Sequence, residues 1–240
     1  MGDTATVLLV HGAFCGDWVY WKLAPCLEAR GIPFIGADLP TCSAVDTFVD
    51  VHDDAAYVRD LIDKVDGRVV VAGKSYGGAV VSGATVDHPK VAHLVYIAAF
   101  MPEADEPYQQ TSGTARTPQF AAGMQLLDDG RVALDVEVGA RCAFTQATDA
   151  DRDVWRRNAR PMSLGSDRSV SFPRVGWEEV PSTYIVCEED KAIQPSAQRE
   201  WAKRATSTIA RPYDHSPGVS HPDEIADLLA GIARAPETLA

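Results

Sequence analysis

The stretch "VVVAGKSYGGAVVSG", Val69 to Gly83, constrains this chain more than any other. A valine run of this kind reads as a strand buried on both faces, and the small-residue run after Gly78 reads as a helix. Between them Ser75 is flanked by Gly73, Gly77 and Gly78. Side chains at the two nearer glycines would clash if the chain turned sharply from strand into helix at the serine. Such a turn lifts the serine hydroxyl above the sheet and sets it at a helix N-terminus, where free N–H groups favour negative charge. The alternative is a strand–loop–helix whose glycines only ease packing. The strand–helix setting favours a nucleophile elbow, with the Tyr76 N–H a candidate oxyanion donor.

The rest of the chain supplies a matching frame. Thr4–Val10, Pro33–Asp38, Arg68–Gly73, His93–Phe100, Ser182–Cys187 and Ser207–Asp214 read as strands. Helical patterns at Trp18–Arg30, Asp53–Val65, Tyr76–His88, Ser196–Ala205 and Pro222–Arg234 alternate with them. Alternation of this kind predicts an α/β chain with a doubly wound, mostly parallel sheet. The rhythm lapses over 102–181, where "MQLLDDGRVALDVE" predicts a hairpin around Asp129-Gly130 and "DADRDVWRRNAR" a helix. We therefore divide the chain into a core of 1–101 and 182–240 and an insertion of 102–181. An insertion after a sheet strand suits a lid, and its Phe120, Met124, Phe144 and Trp155, with Phe14 from the first loop, are the candidate pocket residues. The alternative is a surface excursion with no role at the site.

A serine needs a base, and the base an orienting acid, carried by later loops with the acid first and the histidine last. After "STYIVC" come Glu188, Glu189 and Asp190, and after the last strand comes His215. The order Ser75, Asp190, His215 fits. Glu103 and Asp105 are alternative acids after an earlier strand. His221 is the rival base, but it sits directly before Pro222 at a helix entry. His88 and His93 flank a turn where histidines are ordinarily solvated. A second oxyanion donor belongs in the loop "VHGAFCGDW": Gly12 lets the backbone turn inward, Ala13 N–H is the favoured donor with Phe14 next, and His11 reads as a brace bonded to backbone.

Composition removes several function classes. The net charge is −12 with no basic block, which argues against nucleic acid or an anionic membrane surface as a partner. No apolar run approaches the ~18 residues needed to span a bilayer. The five cysteines are odd in number and scattered, so free thiols are expected rather than disulfides or zinc. With no secretion pattern at the start, this predicts a cytoplasmic protein. "VDVHDD" could hold a metal, but carboxylates capping a helix explain it more cheaply. No phosphate loop or dinucleotide fingerprint is present, and neither cofactor nor metal is expected.

Four stretches carry a family resemblance: "VLLVHGAFCGDWVYWKLAPCLEARG", "GKSYGG", "YIVCEEDKAIQPSAQREWA" and "DHSPGVSHPDEIADLL". They resemble the α/β-hydrolase superfamily, in the branch of plant methylesterases, hydroxynitrile lyases and small bacterial esterase-like proteins. The resemblance covers almost the whole chain outside 102–181. It implies Ser75 as nucleophile, His215 as base, Asp190 as acid, and the Ala13 and Tyr76 N–H groups as the oxyanion hole. Three departures stand out. Lys74 replaces the histidine or glutamate that relatives often carry before the nucleophile, and is expected to point away from the pocket. Ser216 follows the base where hydroxynitrile lyases carry a lysine, which argues against cyanide chemistry. "DLPTCSAVD" replaces a glycine-rich loop. The expectation is a serine hydrolase acting on carboxylic esters of small, mostly apolar molecules. A lyase or cyclase using the same residues without acylation, and a ligand-binding receptor, are the alternatives.

Overall fold

The computed structural model describes residues 4–43, 49–165 and 170–235. Its strands are β1 (Thr6–Val10), β2 (Phe34–Ala37), β3 (Val69–Lys74), β4 (Val91–Ile97), β5 (Met124–Leu126), β6 (Val132–Leu134), β7 (Ser182–Cys187) and β8 (Ser207–Arg211). Six form one sheet in the order β2-β1-β3-β4-β7-β8, every neighbouring pair parallel. The helices are α1 (Leu23–Ala29), α2 (Pro40–Ser43), α3 (Val51–Asp63), α4 (Gly77–Ala84), α5 (Tyr108–Ala115), α6 (Pro118–Ala122), α7 (Val136–Ala143), α8 (Asp149–Asn158), α9 (Pro195–Ala202), α10 (Pro217–Ser220) and α11 (Pro222–Ala233).

The unbroken apolar runs have a direct cause. Successive side chains of a strand point to opposite faces, and here both faces are covered. Leu8, Val10, Val69, Val71, Leu94 and Tyr96 join one core cluster. Val7, Leu9, Val70, Ala72, Val95 and Ile97 join a second, closed by α11 through Ile225, Ala226 and Leu229. Where a parallel sheet is covered on both faces, as along β1 and β3, apolar residues are favoured at nearly every position, whereas the edge strand β8 is mostly exposed.

Several element boundaries differ from the sequence expectation. The helix expected over Trp18–Arg30 is split into a 3-10 turn, Asp17–Tyr20, and α1. Pro25 has no N–H and fits only a helix's first turn, so α1 begins just upstream of it. β4 ends at Ile97 because Ala98 turns left-handed, with φ 45°. β8 stops at Arg211, immediately before Pro212.

Within 102–181 the hairpin forms as β5–β6, with Gly130 at φ 85° in its turn, and α8 forms as expected. Three further helices form here without a clear sequence signal, α5, α6 and α7. Their sequences are short and α5, "YQQTSGTA", is mostly polar. Helix α7 contains Gly139, which a periodicity argument penalises. The glycine is needed because a Cβ there would lie 2.6 Å from Trp155 Cε2. The end of the segment packs on the core, with Phe172 against Gly83 and Gly176 against Thr85. Ala44–Asp46 of the unusual "DLPTCSAVD" loop fall outside the described residues.

Candidate active site

Ser75 sits between β3 and α4 with φ 55°, a left-handed conformation that costs a non-glycine residue about 1–3 kcal/mol. The surroundings hold it there. Its N–H donates to Ile97 O at 3.2 Å, and its carbonyl accepts from Gly78 N and Phe100 N, each at 3.0 Å. The flanking glycines are required by close backbone approach. A Cβ at Gly73 would meet Gly77 O at 2.6 Å, and one at Gly77 would meet His11 O at 2.7 Å.

The loop after β1 lies directly against the serine: a Cβ on Gly12 would sit 3.0 Å from Ser75 Cβ. His11 fixes that loop. Leu39 N donates to His11 Nε2 at 3.1 Å, so Nδ1 carries the proton and donates to Gly12 O at 2.8 Å. Burial pushes the His11 pKa down to about 4, so it stays neutral as a brace. Neither Ala13 N–H nor Tyr76 N–H has an acceptor among the described residues.

His215, in the loop after β8, donates from Nδ1 to Asp190 Oδ2 at 2.7 Å. Both side chains are buried. Asp190 is fully satisfied. Its Oδ1 accepts from Ala192 N at 2.7 Å and Ile193 N at 2.9 Å, and Oδ2 also accepts from Gln198 Nε2 at 2.7 Å. Gln198 is held in turn by donation from Cys187 N to its Oε1. Burial lowers the His215 pKa, the Asp190 charge pulls it back up, and the Lys74 charge adds to the lowering.

The rival residues are engaged elsewhere. Glu188 pairs with Arg199. Glu189 accepts from Gln146 at 2.8 Å, and Glu103 pairs with Arg204 at 3.1 Å. His221 bonds Gln146 Oε1 at 2.7 Å and packs, tilted, against the Tyr213 ring. His88 and His93 correct the expectation of solvated histidines. His88 is buried beside Asp63, and His93 is half-buried against Thr183 Oγ1.

Ser75 and His215 line one pocket of about 30 Å³, together with Ala13, Phe14, Phe120, Met124, Phe144 and Trp155. Ser75 Oγ has no hydrogen-bond partner within 3.5 Å among the described residues. In unliganded sites the bond to the base is often long and tightens with substrate. Lys74, expected to point away, is among the residues that line this pocket. Lys74 also borders a second cavity of about 40 Å³ beneath the site, lined by Leu9, Leu23 and Ile97.

Two positioning residues were not read from the sequence. Gln146, between α7 and α8, donates from its backbone to Asp214 Oδ2 at 2.9 Å and from Nε2 to Pro212 O at 2.8 Å, tying the 102–181 segment to the His215 loop. Of the carboxylates in "VDVHDD", Asp50 and Asp53 cap α3. Asp54 is buried and accepts from Thr41 N at 3.0 Å, Thr41 Oγ1 at 2.6 Å and Tyr76 OH at 2.7 Å, joining α2, α3 and the turn at Ser75.

Burial raises the Asp54 pKa from 3.8 to about 6, against the pull of the Thr41 and Tyr76 hydrogen bonds. The folded state thus resists ionising a group that the unfolded chain ionises freely. Its contribution to stability falls as pH rises from about 4 through about 6 and is level above. We expect Asp54→Ala to destabilise by about 3 kcal/mol, because it strands buried donors. Asp54→Asn keeps an acceptor, and its stability relative to the wild type should improve across that pH window. Urea titrations at several pH values measure both. A pH-independent difference for Asp54→Asn would contradict the assignment.

Among the described residues no helix is long and apolar enough to cross a membrane, and no cluster of three or more His, Cys, Asp or Glu could hold a metal.

A family model described as the alpha/beta hydrolase family matches residues 7–228. The chain belongs to this family. Methylesterase 2 of Arabidopsis thaliana is 27% identical over 94% of this chain and 95% of its own length. Norfluorocurarine synthase 2 of a Strychnos species is 26% identical over 94% of each chain. Among solved structures, a pyrethroid hydrolase superposes with a TM-score of 0.82 at 25% identity, covering 98% of this chain and 99% of its own. The parallel sheet with its flanking helices is the α/β-hydrolase fold. Ala13, Ser75, Asp190 and His215 follow the carboxyl ends of β1, β3, β7 and β8, the end of an open parallel sheet where ligands bind.

Proposed function

We propose that the protein is a serine carboxylesterase that cleaves esters of small molecules with a largely apolar body. The observation that carries this reading is the buried 2.7 Å bond from His215 to Asp190, in a pocket shared with Ser75. With Nδ1 committed to Asp190, Nε2 is the nitrogen left to take the Ser75 proton. Ser75 Oγ then attacks the ester carbonyl. The Ala13 and Tyr76 N–H groups receive the negative oxygen, an interaction worth about 3 kcal/mol per donor. His215 returns the proton to the leaving alcohol, and water, deprotonated by the same nitrogen, releases the acid. The segment 102–181 acts as the lid, supplying Phe120, Met124, Phe144 and Trp155 to the apolar wall. A screen of p-nitrophenyl, methyl and aryl esters, lactones and thioesters tests the reading; no turnover of any of them would overturn it.

A second reading keeps the same three residues as a proton relay for a lyase or cyclase. The synthase name of one relative favours keeping it in view. Trapping of an acyl-enzyme separates the two readings.

The pH dependence follows from His215. The base must be neutral, and burial with the Lys74 charge outweighs Asp190, so its pKa lies below the ordinary 6.5. We expect kcat/KM to rise to a plateau with its midpoint below pH 6.5. Lys74→Gln removes a charge that disfavours imidazolium and should move the midpoint upward. A midpoint above 6.5 in the wild type, or a downward move in the variant, would contradict this account.

A further inference from the structure

Arg116 stands out in the pocket wall. The chain carries 34 acids against 22 bases, yet neither the inner pocket nor the outer recess of about 290 Å³ beside it is lined by any Asp or Glu. The inner pocket has Lys74 and Arg116, and Arg116 lines the recess as well. Tyr108, Met124 and Leu164 also line both, so Arg116 stands in the wall where the two spaces adjoin. Its guanidinium donates from Nη2 to Ser112 Oγ at 3.0 Å and lies beside the Tyr108 hydroxyl. Both partners are neutral. No carboxylate pairs with it among the described residues, and unlike Arg59, Arg211 and Arg234, which also lack one and donate to backbone carbonyls, it borders both spaces.

The placement is also built. The Arg116 backbone bridges to Ile193, and its carbonyl accepts from Gln194 Nε2 at 3.1 Å. Gln194 N donates to Ala115 O at 2.8 Å, and Thr117 N to Ala192 O at 2.9 Å. Ala192 and Ile193 are the residues whose amides hold Asp190. Arg116 is thus tied to the loop of the proposed acid. An arginine at the end of α5 could serve only that helix's dipole, but this would not require it to face both chambers. A planar guanidinium with unused donors, half-buried and without a counter-ion, matches a carboxylate.

We propose that Arg116 selects esters that carry a second, ionised carboxylate, with monoesters of dicarboxylic acids as the simplest class. The reacting ester sits at Ser75 while the carboxylate reaches the guanidinium, and the apolar body spans the wall between them. This inference rests on the ester hydrolysis proposed above.

The test compares monomethyl and dimethyl esters of straight-chain dicarboxylic acids of increasing length, at pH 7.5 and low salt, in wild type, Arg116→Gln and Arg116→Lys. Esters with the carboxylate on the alcohol side form a second arm. At the best length we expect wild type to favour the monoanion in kcat/KM. Arg116→Gln should lose about 10- to 100-fold on the monoanion and less than about 3-fold on the diester. Arg116→Lys should recover part of the loss, and added salt should shrink the preference. Equal loss on both esters, or no preference in wild type, overturns the inference and leaves the esterase reading standing. Titration calorimetry with the Ser75→Ala protein, with and without Arg116→Gln, covers the case of no turnover. Arg116-dependent binding of the monoester then upholds the anion site while the esterase reading falls, and Arg116-independent binding or none overturns the site.

Discussion

Ser75→Ala is expected to reduce ester turnover by about 10⁴-fold or more while the protein stays folded. The loss is large because the hydroxyl is the atom that forms the covalent bond; the oxyanion amides and the pocket leave only residual catalysis. The fold survives because alanine meets the same φ of 55° that serine already tolerates, and the turn is held through backbone bonds to Ile97, Gly78 and Phe100. Turnover of p-nitrophenyl acetate and circular dichroism measure the two halves. Near-normal turnover by a folded variant would remove Ser75 from the role of nucleophile.

Asp190→Asn is expected to lower kcat by roughly 10³- to 10⁴-fold. The hydrogen bonds dictate how the amide must sit. Two backbone donors, Ala192 N and Ile193 N, converge on Oδ1, so the asparagine oxygen has to face them. The amide nitrogen then replaces Oδ2. There it meets His215 Nδ1 and Gln198 Nε2, which are both donors in the native arrangement. Gln198 resists turning over, since its Oε1 accepts from Cys187 N and its Nε2 also donates to Ile193 O at 3.3 Å. His215 is driven to the tautomer with its proton on Nε2, which cannot take one from Ser75. Glu188→Gln and Glu189→Gln should each cost less than about tenfold, because their partners are Arg199 and Gln146 at the surface. Glu103→Gln and Asp105→Asn belong in the same comparison. If Asp190→Asn keeps most activity while one of these loses it, the acid must be reassigned.

The parts legible in the sequence are those whose cause is local. The alternation of valine runs and helices gave the parallel sheet, and the glycines around Ser75 marked a tight turn, in which a Cβ at Gly73 would strike the turn's own Gly77 while one at Gly77 would strike the loop after β1. The order of acid and histidine followed from strand order. What escaped depends on contacts between distant segments. Asp54 reads as one more acid at a helix start until Thr41 and Tyr76 are folded onto it. Gln146 and Arg116 carry no pattern at all, since their meaning comes from the loops of His215 and Asp190, some 70 residues further along. The setting of Lys74 depends on the fold as well. It is the last residue of the strand, directly before the left-handed turn at Ser75, and it lines the pocket as well as the cavity beneath.

The central claim is that Ser75 becomes acylated, and pre-steady-state kinetics with a p-nitrophenyl ester test it most directly. The account predicts a burst of p-nitrophenolate approaching one equivalent per protein when deacylation is the slower step. Acid quenching during the burst should yield protein heavier by one acyl group, mapped to the peptide that contains Ser75 and absent from Ser75→Ala. Turnover of the ester with the acyl group on another residue, or persisting undiminished in Ser75→Ala, would contradict the account.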